Sequence, residues 1–195
     1  MESLSQVDVA DFEAVLTPAR LRALRLLHVG FAMAMVSMAI VAAVLAAASP
    51  GHTAPRAVLL VKALSVANLV FFFACGMVGT RLFDRQFTPE RLADALHTPM
   101  HDHVRRPVSD PAQKCLAIVR RAVFLRLVCL DVSAGFAFAV CVTGILTGVL
   151  AAHPVYWLNA APAVLLAGYA LITFPSADRL RTLFLIKIAS ARRPG

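Results

Sequence analysis

Three histidines and one carboxylate lie close together in the segment 97–103, as His97, His101, Asp102 and His103. Imidazole nitrogens and carboxylate oxygens are common ligands of Zn²⁺, so this segment is a candidate metal site. Pro99 interrupts the helical geometry that would bring the first two histidines onto one helix face. A solvated loop with incidental histidines is therefore the simpler interpretation, because short histidine-rich tracts are only compositional signals.

Asp131 is the second candidate, since it is the only charged residue in the long apolar segment 127–177. A carboxylate inside a membrane costs about 2.5–3.5 kcal/mol on insertion scales and usually faces protein or water. Arg126 is close in the sequence, and His28 enters another apolar segment at a similar depth. We predict an ion pair or hydrogen bond from Asp131 to one of these groups, with a proton or cation site as the alternative.

Other polar groups in the apolar segments are few. Asn68, Ser65 and Thr143 are the ones placed at mid-depth, which is fewer than a transport pathway usually contains. Haem held by two histidines needs imidazoles at equal depth on facing helices, and the positions of His28 and His153 argue against it. We predict no cofactor, although a bound lipid or quinone is compatible with the sequence.

Familiar catalytic signatures are missing from the chain. It contains no phosphate-binding loop, H-E-x-x-H, G-x-S-x-G or dinucleotide fingerprint. The sequence therefore predicts a protein that is not an enzyme.

Long uncharged stretches determine where these residues lie. Residues 26–55 and 132–177 contain no Asp, Glu, Lys or Arg, and 59% of the whole chain is hydrophobic. One helical membrane crossing needs about 20 apolar residues. The pattern predicts an all-α integral membrane protein, with a single membrane domain over 1–195 and no separate core outside the apolar runs. The four predicted spans form two hairpins and lie at about 26–48, 57–80, 122–150 and 155–174.

Capping residues followed by proline, at Thr17-Pro18 and Asp110-Pro111, predict the starts of the first and third long helices. Residues 1–16 are predicted to be a polar tail, and 81–114 a cytoplasmic loop containing a short interfacial helix after Thr88. A second amphipathic helix is predicted over 177–190.

Basic residues predict the orientation. All but two of the 19 Lys and Arg residues lie before the first span, between residues 81 and 126, or after residue 178, and the exceptions are Arg56 and Lys62. By the positive-inside rule, both termini and the loop 81–114 face the cytoplasm. This placement explains the net charge of +8 without nucleic acid. Richness in Ala and Arg is compatible with a bacterial inner membrane.

Gly144 and Gly148 form a G-x-x-x-G motif in the third predicted span. Such a motif permits close helix packing within the bundle or against another subunit.

Together these features favour a non-catalytic membrane subunit, that is, a scaffold or accessory component of a larger membrane protein complex. Its expected partners are other integral membrane subunits, membrane lipids and a protein at the cytoplasmic face. The alternative is a small transporter or a proton- or cation-conducting membrane protein that uses Asp131.

Overall fold

Four long apolar helices dominate the structure, a computed structural model that describes residues 4–49, 55–101 and 107–192. The helices that are long and apolar enough to cross a membrane are Pro18–Ala48, Pro55–Arg85, Pro111–Leu146 and Pro154–Ile172. The prediction of four such helices is confirmed, and it indicates a multi-pass membrane protein.

Eight α-helices and one small antiparallel pair of strands occur in the described residues. The α-helices are α1 (Val9–Ala14), α2 (Pro18–Ala48), α3 (Pro55–Arg85), α4 (Pro89–His97), α5 (Pro111–Leu146), α6 (Val149–Ala152), α7 (Ala161–Ile172) and α8 (Ala177–Lys187). Short 3-10 helices cover Leu4–Gln6, Pro154–Ala160 and Ala189–Arg192. The strands are β1 (Met100–His101) and β2 (Pro107–Val108).

Local capping fixes where several helices begin. The Thr17 hydroxyl accepts a hydrogen bond from the backbone N–H three residues later, at 3.4 Å. The Asp110 carboxylate caps α5 by accepting from the backbone N–H of Ala112, two residues later, at 3.0 Å, and the Ser176 hydroxyl caps α8 by accepting from that of Arg179 at 3.3 Å. Short polar side chains are favoured at such positions because they satisfy backbone donors that lack a helical partner. The predicted helix starts at Pro18, Pro89 and Pro111 are confirmed.

The third apolar helix is shorter than predicted. Helix α5 ends at Leu146, and Gly148 has a φ of 71°, in the left-handed region. Side chains disfavour this conformation, so glycine is the residue that allows the helix to stop and the chain to turn into α6. The fourth apolar helix, predicted at about 155–174, is Pro154–Ile172, and its first part is the 3-10 helix Pro154–Ala160.

The chain divides into two compact units. The first, which we call the basic unit, combines Met1–Leu27, Thr80–Arg126 and Phe174–Gly195. The second, the apolar unit, combines His28–Gly79 and Leu127–Thr173. Arg56, Lys62 and Asp131 are the only charged residues in the sequence of the apolar unit.

The basic unit has its own hydrophobic core, so the prediction of no separate core outside the apolar runs is wrong. Side chains from all three of its segments contribute to this core, including Leu4, Phe12, Leu92, Val119 and Phe184. The rings of Phe12 and Phe184 stack with their centroids 4.4 Å apart. The expected polar tail thus contains α1, whose apolar side is buried.

Helices α4 and α8 also differ in role from the predicted interfacial helices. Leu92 and Ala95 of α4 are buried in the core of the basic unit, as are Leu180 and Phe184 of α8. Their apolar faces therefore pack against protein, and helix α8 ends at Lys187, before the predicted residue 190.

Candidate functional site

The predicted metal segment does not form a complete site in the described residues. His97 is exposed at the end of α4, and His101 is exposed in β1. Asp102 and His103 lie outside the described residues. Within 4–49, 55–101 and 107–192, no group of three or more His, Cys, Asp or Glu side chains is arranged to hold a metal ion.

Asp131 is partly exposed on α5. The two ion pairs among the described residues join Arg181 to Glu13 and Lys187 to Asp84, so neither includes Asp131. The guanidinium of Arg126, its expected partner, lies 5.5 Å from the ring centroid of Phe83. The other expected partner, His28, is buried, with 2% of its surface exposed.

Asn68 belongs to a polar network in the apolar unit. Its Nδ2 donates to the backbone oxygen of Asn159 at 3.1 Å. The side-chain amide of Asn159 in turn donates to Ser65 Oγ and to the Tyr156 carbonyl, both at 2.9 Å. The sequence identified Asn68 but not its partner, and the only signal was a second asparagine in an apolar segment. The network joins α3 to the 3-10 helix Pro154–Ala160 and so fixes their register.

The two glycines of the G-x-x-x-G motif have separate roles. A Cβ atom added at Gly144 would lie 1.9 Å from Cδ1 of Leu150, so this glycine makes room for a side chain that follows it in the same chain. Gly148 lies beyond the end of α5 and shapes the turn. The expected helix face lined by both glycines is therefore not formed.

A cavity of about 790 Å³ lies in the basic unit. Ligand pockets are typically about 300–1,000 Å³, so the cavity is of a size that suits a small molecule. Helices α2, α4 and α5 contribute most of its walls, and the segment 98–101 completes them.

The charged residues of the cavity are mainly basic. Arg91 and Asp94 come from α4, and Arg120 and Arg121 come from α5. None of these four side chains takes part in the two ion pairs of the described chain. An excess of three arginines over one aspartate among the described lining residues favours an anionic ligand, because guanidinium binds carboxylate and phosphate groups through paired hydrogen bonds.

Most of the other residues that line the cavity are apolar, and the uncharged polar groups and imidazole among them belong to Gln86, Thr98 and His101. Leu24 and Leu27 come from α2, and Ile118 and Phe124 come from α5. The cavity therefore suits a ligand with one anionic end and one apolar end. The sequence alone does not reveal this cavity, because its walls come from segments far apart in the chain. The signal in the sequence was that Arg121 and Phe124 are three residues apart, as are Arg91 and Asp94, a spacing that places each pair on one face of a helix.

Lys114 positions the helix that carries two of the cavity charges. This lysine is buried, and its Nζ donates to the backbone oxygens of Ala95, Leu96 and Thr98 at 3.0, 2.6 and 3.2 Å. An ammonium group has three donors and favours the negative end of the helix dipole. Lys114 thus satisfies the carbonyls at the end of α4 and links α4 to α5.

Arg25 holds the chain between α7 and α8. Its Nε donates to the backbone oxygen of Pro175 at 3.1 Å, and its guanidinium carbon lies 6.0 Å from the ring centroid of Phe174. Basic residues of this unit thus have structural contacts in addition to any role in orientation.

The arginine and apolar side chains that line the cavity are groups that can bind a ligand. Comparison of the chain with protein-family models, with curated proteins and with solved structures finds no match.

Proposed function

We propose that the protein is a four-span membrane protein whose two ends and middle segment all lie on the cytoplasmic side. The basic unit is the observation that carries this proposal. It combines three parts of the chain that are separated by two stretches containing the apolar helices. Each stretch must return to the side from which it left, which is the arrangement of two membrane hairpins. The excess of Lys and Arg in these three parts supports a cytoplasmic location.

Exposed apolar side chains support insertion into a membrane. On α3, the exposed large apolar residues are Leu59, Leu60, Val66, Leu69, Val70, Phe73, Met77 and Val78. Contiguous apolar surface of this length is rare on soluble monomers. Lipid tails or the helices of a neighbouring subunit would cover it. The Ala- and Arg-rich composition agrees with a bacterial inner membrane.

Within that membrane, we propose a non-catalytic role as a scaffold or accessory subunit of a larger complex. The polar groups of the basic unit support this role because many of them hold helices together. Glu13 pairs with Arg181 at 2.6 Å, Asp84 pairs with Lys187 at 2.8 Å, and Lys114 caps α4. The remaining exposed charges offer a surface to a cytoplasmic partner, and the exposed apolar helix faces offer one to membrane subunits.

Thiol labelling tests the orientation. In a cysteine-free background, His97→Cys and Asp178→Cys should react with a membrane-impermeant maleimide only when the cytoplasmic face is opened. His153→Cys, between the third and fourth apolar helices, should react in intact cells. Labelling of residues 97 and 153 from the same side would contradict the proposed hairpins.

Purification in a mild detergent tests the scaffold role. We expect at least one other integral membrane chain to co-purify in fixed stoichiometry. A solitary protein of 20.9 kDa in every mild detergent would contradict that role.

The second candidate function is proton or cation conduction through Asp131. It is supported by the absence of Asp131 from the ion pairs of the described residues, because an intramembrane carboxylate often marks an ion pathway. Asp131→Asn should abolish flux in proteoliposomes and leave co-purification unchanged, whereas Asp131→Glu should retain part of the flux. Co-purification lost in Asp131→Asn, with no flux in the unaltered protein, would favour a structural role.

A further inference from the structure

We propose that the cavity of the basic unit binds an anionic phospholipid, with the lipid phosphate at the arginines and hydrocarbon along the apolar wall. This inference rests on the proposed membrane location, and it adds a specific ligand class and specific residues to it.

The arginines provide the first argument. Arg91, Arg120 and Arg121 line the cavity, and among the described residues that line it the only carboxylate is Asp94. Ion pairs in the described part of the chain do not neutralise these guanidinium groups. Arginine recognises phosphate more specifically than a point charge does, because its planar fork donates two parallel hydrogen bonds. The cavity therefore has charge left over for an anion.

The apolar wall provides the second argument. Ala117, Arg121 and Phe124 recur at helical spacing along α5, so the wall carries an arginine within an otherwise apolar face. Leu24 and Leu27 add further apolar surface from α2. A free phosphate ion gains nothing from such surface, whereas a hydrocarbon chain gains favourable burial.

The position of these residues in the sequence provides the third argument. Leu27 is the last residue of its segment in the basic unit, and Phe124 comes two residues before the end of another segment at Arg126. In the proposed orientation, both positions are where the spans meet the cytoplasmic headgroups. Anionic lipids give this leaflet its negative surface potential, and basic pockets beside spans bind their headgroups.

Binding of phosphatidylglycerol to the detergent-purified protein tests the proposal. Native mass spectrometry should show preferential binding of phosphatidylglycerol over phosphatidylcholine. The double variant Arg120→Gln/Arg121→Gln should weaken phosphatidylglycerol binding by about tenfold or more, since each charge-assisted hydrogen bond contributes strongly. The matched control Arg22→Gln/Arg85→Gln removes the same charge from exposed positions of the same unit outside the cavity. Its affinity should stay within about twofold of the unaltered protein.

Equal losses in the cavity and control variants would overturn the proposal, because they would indicate attraction to the whole basic surface. Unchanged affinity in the cavity variant would overturn it as well.

A second pair of measurements distinguishes a lipid from a free phosphate. Inorganic phosphate and glycerol 3-phosphate should fail to displace phosphatidylglycerol at millimolar concentration. Ala117→Phe narrows the cavity without changing its charge and should weaken lipid binding by about tenfold. Ready displacement by inorganic phosphate, or unchanged lipid affinity in Ala117→Phe, would overturn the assignment of a lipid.

The failure of this inference can be distinguished from the failure of the proposed function. Protection of Cys115 from maleimide shows whether the basic unit of each variant remains folded, since this thiol is fully buried. The labelling of His97→Cys reports orientation independently of lipid binding. If the orientation holds and the cavity variants bind lipid normally, only the lipid site is wrong; if residue 97 is labelled from outside, the proposed orientation is wrong.

Discussion

Lys114 shows how a charged side chain of this protein is stabilised in a buried position. An unpaired buried ammonium is costly, but this one donates to three carbonyls near the end of α4. The lysine therefore stabilises the fold. Although it is close in sequence to the arginines of the cavity, it is not part of the anion site.

Replacing this lysine tests its structural role. Lys114→Met keeps the apolar stem but leaves the three carbonyls without their donor, so the free energy of unfolding should fall by about 2–3 kcal/mol. Reversible unfolding in mixed detergent, followed by the maleimide reactivity of the buried Cys115 in the same unit, would measure it. Lys187→Met is the matched control, because its ion pair with Asp84 is exposed and should cost about 1 kcal/mol or less. Equal effects of the two substitutions would contradict the role of Lys114.

Phe12 illustrates a residue whose importance the sequence concealed. Its ring is completely buried and stacks on Phe184, although it lies among acidic residues near the start of the chain. Phe12→Ala should destabilise the basic unit by about 3–5 kcal/mol, the usual cost of removing a buried aromatic side chain. Hydrogen exchange of α8 would measure the change. The neighbouring exposed Glu13→Gln, which breaks the pair with Arg181, should cost about 1 kcal/mol or less.

At the scale of elements, local chemistry explains most of what the sequence predicted. Apolar runs are long because lipid offers no hydrogen bonds to an exposed backbone, so composition alone located four helices. Hydroxyl or carboxylate caps followed by proline located the starts of α2 and α5. The end of α5 was missed because a glycine in an apolar run is equally compatible with helix packing and with a left-handed turn.

Glycine substitutions at two positions test the turn after α5. Gly148→Ala should lower the free energy of unfolding by about 1–2 kcal/mol, because its φ of 71° is strained for a residue with a Cβ atom. Gly168→Ala is the matched control in α7, where an added Cβ atom meets nothing within 4 Å. It should be neutral or slightly stabilising, since alanine favours helices. Detergent unfolding that shows the reverse order would contradict the left-handed turn.

At the scale of the whole molecule, the sequence revealed the membrane character but not the basic unit. Its core combines residues from three distant segments and its cavity combines residues from two of them, and nothing in a single sequence reports which of these segments meet. The same reason explains why Asn68 was noticed without Asn159. The numbers of Lys and Arg residues predicted an orientation for these segments, whereas only the structure showed that they pack together.

Removal of the last segment tests whether the basic unit needs all three parts. A chain truncated after Thr173 loses Leu180, Phe184 and Ile188 from the core, so Cys115 should become reactive to maleimide. Cys141 is buried in the apolar unit and is the internal control, since it should stay protected. Continued protection of Cys115 in the truncated chain would show that the first two segments suffice.

Because the basic unit consists of three separated segments, their positions in the chain also determine when the unit can fold during synthesis. Its helix α8 follows all four apolar helices in the chain, so it is synthesised after them. Domains usually fold as units during synthesis. The basic unit is still incomplete when its first two segments have been synthesised, because its third segment is missing. The core of the unit can therefore close only when the segment that follows the last apolar helix packs against the two earlier segments.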